Sequence, residues 1–440
     1  DLITQPVFDA LFEDYSFTQH NPVSKSMQKM LDVLHDNGLG REPESLQKFY
    51  ASVRLRASGI DSTEARQRII IELYDKFFRT AFPRMTERLG IVYTPVEVVD
   101  FILHSADWAL RQEFGVGLAD KGVHVLDPFT GTGTFIVRLL QSELIAPEQL
   151  EHKFKHELHA NEVVLLAYYI AAVNIEYAYH LRRAAAGIKE DYAPFEGIVL
   201  TDTFQLAEGK GSLEEAMFPD NNKRAKKQKE KDIRVIIGNP PYSVGQESEN
   251  DDNKNLKYPF LDERIRSTYA ARSNAGLARN LYDSYIRAIR WGSDRIKDKG
   301  IVCFITNGRF IDDNIADRLR TCIADEFTSA YVFNLRGFVK GRVGEDAKRE
   351  GGNIFNILTG VAITLLIKNP ESERAGQIHY FDIGDYVSKD EKLKRIRDAG
   401  SASALTWCRV SPNAEADWIN IRDPAVAKFM GLGDKDDDTG

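Results

Sequence analysis

The stretch VHVLDPFTGTGTFIVRLL, residues 123–140, joins two kinds of pattern around a short turn. VHVLD is a β-rich run that ends in an acid, and FIVRLL begins a helical segment. Between them, Gly131 and Gly133 let the backbone turn tightly and approach a ligand, while the helix N-terminus faces the same place. This order predicts a strand, a binding turn and a helix, which together form the repeating unit of a parallel α/β sheet.

Six more β-rich runs predict further strands. They are HELHA (156–160), GIVLT (197–201), IRVIIG (233–238), GIVCFIT (300–306), AYVFNL (330–335) and VAITLLI (361–367). Helix-length segments separate the first five strands, and a loop joins the last two. The predicted fold class is therefore α/β, with a seven-stranded, doubly wound, mostly parallel sheet and an antiparallel strand at the end. In such sheets ligands bind beyond the carboxyl ends of the strands.

A helical domain is predicted for residues 1–88, because apolar residues recur at helical spacing in FDALFEDY and MQKMLDVLHDNG. The clearest helix begins at DSTE, where Asp61 and Glu64 have the spacing of a capping box, and it ends at Pro83. No residue in this all-helical domain points to chemistry. A role in packing or interaction is therefore expected for it.

Length and composition limit the number of folding units and the class of protein. A chain of 440 residues with 43% hydrophobic and 28% charged residues predicts two or three globular folding units. No apolar run approaches the roughly 20 residues of a membrane span and no signal peptide is evident, so a cytoplasmic location without a membrane partner is predicted. Cys303, Cys322 and Cys408 have neither disulfide nor zinc spacing. Since the chain begins with Asp1 and stops in an acidic tail, it is expected to be a segment of something longer.

The charge balance restricts nucleic-acid binding to a local surface. With 58 Lys+Arg against 66 Asp+Glu, the net charge of −8 is a poor overall match to a polyanion. The densest basic run is NNKRAKKQKEKDIR, residues 221–234, which is also typical of a solvated connector.

Three acids follow successive predicted strands. Asp127 is placed to accept hydrogen bonds from a cation or a hydroxyl group, and Glu162 could hold the two hydroxyls of a ribose. Asp202 could accept from the exocyclic amine of an adenine, with Phe204 beside it to stack on the purine. Asp127 and Glu162 are 35 residues apart, which is longer than the roughly 20 of the dinucleotide pattern, so Glu157 remains an alternative for the ribose.

The histidines near Glu162 do not predict a metal site. His152, His156 and His159 lack HExxH spacing, and in a strand His156 and His159 would point to opposite faces.

The stretch VIIGNPPYSV, residues 235–244, gives the fourth strand a stiff end. Pro240 and Pro241 fix their φ angles and donate no amide hydrogen, so nearby carbonyl groups are free to accept from a substrate. The side-chain oxygen of Asn239 and the carbonyl oxygen of Pro240 form two acceptors for an exocyclic amine. The ring of Tyr242 is available to stack on a base.

DPFTGTGTF followed by NPPY resembles the motif pair of S-adenosylmethionine-dependent amino-methyltransferases of the DNA N6-adenine type. YTPVEVVDFI, from Tyr93, resembles the cofactor-contacting segment of the gamma order, in which that segment precedes the Gly-rich motif. The similarity covers about residues 85–385. It implies a Rossmann-like methyltransferase fold, S-adenosylmethionine as cofactor, and double-stranded DNA with a flipped adenine as substrate.

The wider strings LYDKFFRTAFPRMTERLGIVYTP and NIFNILTGVAITLLIK are similar to the methyltransferase portion of single-polypeptide Type I (Type ISP) restriction-modification enzymes. This resemblance implies a helical coupler in residues 1–88 and a methyltransferase domain in residues 89–385. Residues 386–440 would be a tail leading to a target-recognition domain. A helicase-nuclease part of the same polypeptide and a bacterial cytoplasmic location are also implied.

The resemblance assigns site residues as follows. The implied cofactor site comprises Tyr93, Thr94, Pro95, Asp127, Pro128, Gly131, Gly133, Thr134, Glu162, Asp202 and Phe204. The implied catalytic turn comprises Asn239, Pro240, Pro241 and Tyr242. The implied substrate contacts are Tyr242, Arg336 and Phe338, with Phe338 as the second base-stacking aromatic. The loop KGRVGEDAKREGGN, residues 340–353, either closes over DNA or is a solvated hairpin.

Two other functions stay open. NPPY also occurs in amino-methyltransferases that act on RNA guanine or on a protein glutamine, although the YTP segment and the DPF start favour the DNA enzymes. The other alternative is a non-catalytic DNA-binding or coupling module. The presence of Asp127, Asn239 and Tyr242 argues against it. No cysteine follows a proline as in the C5-cytosine enzymes, which favours an exocyclic nitrogen as the acceptor.

Overall fold

The computed structural model describes residues 21–26, 28–29, 93–188, 191–208, 218–242, 258–271, 281–313 and 316–419. The all-helical domain predicted for residues 1–88 lies almost entirely outside the described residues, as does the chain from residue 420 onward.

A single mixed sheet organises the described residues. Its strands are β1 (His124–Asp127), β2 (Leu158–Glu162), β3 (Ile198–Leu200), β4 (Ile233–Gly238), β5 (Gly300–Asn307), β6 (Ser329–Asn334), β7 (Val361–Lys368), β8 (Gln377–Asp382) and β9 (Cys408–Val410). All seven predicted strands are present, but the predicted count was wrong because the sheet has nine. The two additional strands escaped prediction because β8 buries only Ile378 and β9 is three residues long.

Eleven helices are described around this sheet. They are α1 (Val96–Phe114), α2 (Thr134–Gln141), α3 (Pro147–His152), α4 (Leu165–Ala185), α5 (Thr203–Glu208), α6 (Pro219–Glu230), α7 (Pro259–Ser267), α8 (Ser284–Arg295), α9 (Asp317–Glu326), α10 (Gly344–Glu350) and α11 (Lys389–Ala399). A π-helical turn, Lys153–Glu157, precedes β2, so His156 lies in this turn and not in the predicted strand. No helix among the described residues is long and apolar enough to cross a membrane.

The strand order is β3-β2-β1-β4-β5-β7-β6-β8-β9. Strands β1 to β5 are parallel to their neighbours in this group. The predicted antiparallel strand, β7, lies inside the sheet, where it is antiparallel to both β5 and β6. Since β5 and β6 are both antiparallel to β7, they are parallel to each other, and β6 therefore runs in the same direction as β1. The carboxyl ends of β1 to β6 thus meet at one side of the sheet. We call this side the carboxyl edge.

Both faces of the central strands are covered. In β4, Val235 and Ile237 belong to one buried hydrophobic cluster together with residues of α1, α2 and α4. Ile236, between them, belongs to a second cluster with residues of α7, α8 and α9. Since successive side chains of a strand point to opposite faces, this strand requires a continuous apolar run.

Residues 389–410, within the segment predicted as a tail, contact the sheet and α1. Helix α11 packs on α1. Ser105 Oγ accepts a hydrogen bond from the amide nitrogen of Ala402 at 2.8 Å. Strand β9 then pairs with β8 in antiparallel orientation. Helix α11 buries only Lys392 and Ile396, and two of the three residues of β9 are exposed, so the sequence does not show that this segment joins the sheet.

Candidate active site

Asp127 ends β1 at the carboxyl edge and is completely buried. Its Oδ1 accepts a hydrogen bond from the amide of Phe129 at 3.1 Å, while its Oδ2 is buried without a partner. Burial raises the pKa of Asp127 to about 8, and the nearby negative charge of Glu162 adds to the shift. A buried carboxyl group with an unsatisfied oxygen is costly to fold, and such groups concentrate at functional sites.

The two predicted glycines have positive φ angles for different reasons. Gly131 has φ +56°, and a Cβ atom there would meet nothing within 4 Å. Gly133 has φ +89°, and a Cβ atom there would lie 3.2 Å from the Cα of Ala171 in α4. Gly133 thus permits close packing of α2 on α4, with Thr134 as the first residue of α2. Gly131 leaves room above the sheet.

Glu162 ends β2 and holds the Gly-rich turn in place. Its Oε2 accepts from the amide of Gly131 at 2.8 Å, and its Oε1 accepts from the amide of Val164 at 2.7 Å. Burial raises the pKa of Glu162 to about 7. The alternative, Glu157, precedes β2 and binds Lys153 and the Gly122 amide at the opposite edge of the sheet. Of the two acids, Glu162 alone lies beside the Gly-rich turn.

Asp202 and Phe204 follow β3, as predicted. Asp202 Oδ1 accepts from the amide of Phe204 at 2.9 Å, and Asp202 Oδ2 accepts from the hydroxyl of Tyr258 at 2.8 Å. The ring of Phe204 lies edge-on to the rings of Phe129 and Tyr258, with centroid distances of 5.5 and 5.3 Å. Tyr258 was not predicted because no motif links it to Asp202, 56 residues earlier.

A buried polar network connects the first three strand ends and also escaped prediction. The amide of Thr130 donates to the carbonyl oxygen of Asn161 at 3.0 Å. The side chain of Asn161 donates to Thr203 Oγ1 at 3.2 Å, and this hydroxyl donates to the carbonyl oxygen of Pro128 at 2.6 Å. These contacts fix the ends of β1, β2 and β3 relative to one another. They depend on strand order, which the sequence does not display.

The NPPY turn leaves β4 beside the segment that precedes α1. Asn239 Nδ2 donates to the hydroxyl oxygen of the buried Thr94 at 3.0 Å. The other atom of the amide, Asn239 Oδ1, is buried and has no partner. Pro95 is the N-cap of α1, and Tyr93 before it is 43% exposed. Thr94 and Asn239 therefore meet although 145 residues separate them.

Tyr242 is the last residue of the NPPY turn. Its hydroxyl donates to the carbonyl oxygen of Ile305 at 3.3 Å. Its ring centroid is 5.6 Å from that of Phe355, with the two planes tilted by 58°. The ring of Phe338, in contrast, lies under the guanidinium groups of Arg309 and Arg342 at 5.5 and 5.0 Å. The structure therefore brings Phe355, a residue of the quoted NIFNILTG string, next to Tyr242.

Arg336 follows β6 at the same edge in the left-handed conformation, with φ +55°. Its guanidinium group pairs with Asp382 at 2.7 Å and with Asp385. Both contacts raise the pKa of Arg336 against the opposing effect of burial. The predicted substrate contact is thus engaged with two acids of the neighbouring β8 segment.

The histidines of the His-rich segment lie away from this edge. His159 Nε2 is 3.0 Å from His124 Nδ1. Burial lowers the pKa of His159 to about 3, so its ring is neutral. The described residues contain no group of three or more His, Cys, Asp or Glu side chains that could hold a metal ion.

Two family models, both of restriction-modification enzymes, match parts of this chain. The family model of the Eco57I restriction-modification methylase matches residues 157–337, which include β2 to β6. The family model of the Type ISP restriction-modification enzyme coupler domain matches residues 1–65. A comparison with curated proteins found no match.

Solved structures of Type ISP enzymes are similar to this chain. The chain is 47% identical to a nuclease-deletion mutant of the Type ISP enzyme LlaGI in complex with a DNA substrate mimic, with a TM-score of 0.90. It is also 47% identical to the ATP-dependent Type ISP enzyme LlaBIII bound to DNA, with a TM-score of 0.92. A DrdV–DNA complex is 36% identical, with a TM-score of 0.87. The predicted resemblance to Type ISP enzymes is therefore confirmed.

The extent of these matches is asymmetric. They cover 99%, 99% and 96% of this chain, but 35%, 29% and 40% of the LlaGI, LlaBIII and DrdV chains, respectively. The chain thus spans between about a quarter and two fifths of the length of each of these proteins.

Replacing Asp127 by Asn is expected to stabilise the ligand-free protein increasingly as the pH rises from 5 to 8. The folded state raises the pKa of Asp127 from 3.8 to about 8. Its contribution to stability is therefore full below pH 3.8 and is lost as the pH rises toward 8. Asn does not titrate, so the difference in unfolding free energy should grow by up to about 1.4 kcal/mol per pH unit. Urea unfolding at several pH values measures it.

Asp346→Asn, at an exposed position on α10, provides the matched control for an Asp-to-Asn substitution away from β1. A difference between wild type and Asp127→Asn that stays constant from pH 5 to 8 would contradict the assigned shift.

Proposed function

We propose that this chain transfers a methyl group from S-adenosylmethionine to the exocyclic N6 amine of a flipped-out adenine in DNA, as the modification module of a restriction-modification enzyme. One observation carries the proposal. Asn239 Oδ1 is a buried acceptor without a partner, next to a second such acceptor, Asp127 Oδ2, at the adjacent strand end. The match to a restriction-modification methylase family supports it.

The residues at the ends of β1 to β3 fit the cofactor. The unpartnered Asp127 Oδ2 suits the amino group of its methionine part, and the open space at Gly131 accommodates a ligand. Glu162, fixed by two backbone amides, would hold the ribose, while Asp202 and Phe204 would meet the adenine. The remaining contacts would come from Tyr93, Thr94, Pro95, Pro128, Gly133 and Thr134. When bound, the cofactor supplies an electrophilic methyl group on a sulfonium.

The NPPY turn would orient the acceptor. Asn239 Oδ1 and the carbonyl oxygen of Pro240 accept the two hydrogens of the adenine amine, which directs the nitrogen lone pair at the methyl group. The same two oxygens offset the positive charge that develops on the nitrogen during transfer. Because Pro240 and Pro241 are conformationally restricted, the acceptors are in place before the base arrives. No covalent enzyme intermediate is needed.

The target base would leave the duplex to reach this turn. Tyr242 stacks on one of its faces, with a contribution of about 1–3 kcal/mol. Phe338 was predicted as the second stacking residue, and Phe355 is the ring that lies beside Tyr242. We keep both as candidates, and we keep Arg336 as a substrate contact that would first have to leave its acidic partners.

The remainder of the polypeptide follows from the same proposal. Residues 1–88 would be the coupler, of which residues 1–65 match the coupler family model. Residues from 89 onward would form the methyltransferase domain, extended to include α11 and β9. A helicase-nuclease part and a target-recognition domain would belong to the same protein. We place the protein in the bacterial cytoplasm.

The proposal predicts tritiated methyl transfer from S-adenosylmethionine to plasmid DNA by the full-length protein that carries this chain. After digestion of the DNA, the label should be found in N6-methyldeoxyadenosine. Asn239→Ala should lower the rate by on the order of 10²-fold, since it removes one acceptor for developing charge. Its affinity for the cofactor, measured by calorimetry, should stay close to that of the wild type.

Label in RNA, in a protein glutamine or in no acceptor at all would overturn the proposed function. Loss of cofactor affinity in parallel with activity in Asn239→Ala would instead contradict the role assigned to Asn239.

Thr94→Val is expected to lower kcat at saturating cofactor by on the order of tenfold, because Asn239 Nδ2 loses its buried acceptor and the amide is no longer held. Thr94→Ser retains the hydroxyl and should restore most of the rate. Measuring at saturating cofactor separates this effect from any contact of Thr94 with the cofactor. Equal kcat values for the Val variant and the wild type would show that Thr94 does not position Asn239.

The two glycines of the turn should respond differently to substitution. Both substitutions add the strain of a positive φ angle, but Gly131→Ala meets no neighbour and should mainly weaken cofactor binding, because its Cβ would enter open space. Gly133→Ala should mainly lower the unfolding free energy, by about 1–3 kcal/mol, because its Cβ would press on α4. Calorimetry and urea unfolding of both variants test the distinction. Equal losses of affinity would contradict it.

A further inference from the structure

The connection between β6 and β7, residues 336–360, forms an arm that stands at the carboxyl edge. Its two ends are joined by backbone hydrogen bonds, since the amide of Val361 donates to the carbonyl oxygen of Arg336 at 3.1 Å. Farther out, the amides of Val339 and Lys340 both donate to the carbonyl oxygen of Leu358, at 3.0 and 3.2 Å. The arm is therefore a built hairpin with a defined direction and not a loose connection.

The arm concentrates exposed apolar surface. Val343 is 83% exposed, Leu358 is 62% exposed, and Tyr386, packed against the arm through its hydroxyl bond to Glu345, is 57% exposed. These are the three most exposed large hydrophobic residues in the described part of the chain. Single exposed apolar residues are normal on a protein surface, but a group of them on one projecting element indicates a contact surface.

Val343 lies at the tip of the arm between two glycines and points away from the protein. Gly341 and Gly344 have φ angles of +74° and +61°, and they bracket Arg342 and Val343 in the sequence. Arg342 turns back toward the arm, where it pairs with Glu350 and lies over the ring of Phe338. Val343, next to it, projects from the tip with most of its surface exposed.

The arm carries a small excess of cationic residues, although four of the five pair with acids. It carries five cationic residues, Arg336, Lys340, Arg342, Lys348 and Arg349, against three acids, Glu345, Asp346 and Glu350. This excess contrasts with the net charge of −8 for the whole chain. Lys340 is exposed, and it is the cation nearest the tip that is not engaged with an acid of the described structure.

The arm is continuous with the catalytic turn. Phe355, on its returning branch, lies 5.6 Å from the ring of Tyr242. Phe338, on its outgoing branch, lies under Arg309, which follows β5 at the same edge. A base that reaches Tyr242 therefore passes directly beside the arm, together with the nucleotides that flank it.

We propose that the tip of this arm, Lys340 to Val343 with Leu358, contacts the DNA duplex beside the target adenine. Val343 and Leu358 cover the base faces that are left exposed when the adenine leaves the stack, and Lys340 contacts a backbone phosphate. Unstacking a base is costly, and apolar side chains that fill the gap offset that cost. The inference rests on the proposed function and adds to it the surface that opens the duplex.

The test uses the full-length protein and a duplex with 2-aminopurine at the mapped target adenine, whose fluorescence rises when the base is unstacked. The double variant Val343→Ser, Leu358→Ser should reduce the fluorescence rise on this duplex on the order of tenfold, and should reduce the methylation rate to the same extent on a matched duplex that carries adenine at the target position. Its cofactor affinity should not change. Val343→Leu keeps an apolar tip and should behave like the wild type.

Lys340→Ala should reduce the slope of log affinity against log salt by about one, as expected for one lost phosphate contact. Leu181→Ser supplies the matched control, since Leu181 is 40% exposed on α4 and lies outside the arm. It should change neither fluorescence nor salt dependence.

The inference is overturned, and the proposed function is kept, by the following combination of results. The wild-type protein methylates DNA, the double variant unstacks the base as well as the wild type does, and the salt slope of the Lys340 variant is unchanged. A wild-type protein that transfers no methyl group to DNA overturns the proposed function, and this inference with it. A tip variant that has lost its cofactor affinity also counts against the inference, because it shows that the arm acts on the cofactor site.

Discussion

The close approach of β1 and β4 is the constraint on which the site depends. A Cβ atom on Gly238 would lie 3.0 Å from Asp127 Oδ1, so any side chain at this strand end would press on the Asp127 carboxyl group. Glycine at this position lets the buried carboxyl group and the NPPY turn stand next to each other. Asp127 Oδ2 and Asn239 Oδ1 are both buried there without a partner among the described residues. In a medium of low polarity these two acceptors interact strongly with whatever donors reach them.

Around this contact, the protein holds its reactive groups by backbone more than by side chains. Asp127 is held by the Phe129 amide, Glu162 by the amides of Gly131 and Val164, and Asp202 by the Phe204 amide. Backbone donors in turns at strand ends cannot be displaced without distorting the sheet. The raised pKa values of Asp127 and Glu162 follow from the same burial. The site thus stores a cost in the free protein that a cationic, hydroxyl-rich ligand relieves.

The sequence predicted the parts of this arrangement that depend on local pattern. β4 was predicted at its observed bounds, because a strand covered on both faces needs an uninterrupted apolar run. Asp127 and Glu162 end β1 and β2, and Asp202 comes two residues after β3, close to where the β-rich runs predicted them. The sequence did not reveal Thr203, Asn161 or Tyr258, whose partners lie on other strands and helices. It named Phe338 as the second stacking ring and did not indicate Phe355, because position along the chain does not show which ring folds back toward Tyr242.

The edges of the sheet have a consequence for the behaviour of the protein in solution. The outermost strands of the described sheet, β3 and β9, are each three residues long. An edge strand offers unpaired backbone donors and acceptors to any other extended chain, and its length sets how many bonds such a pairing could form. With so few on either side, and with Cys408 and Arg409 exposed on β9, the sheet presents poor templates for strand addition. Growth of the sheet by edge-to-edge pairing is therefore disfavoured at both of its described ends.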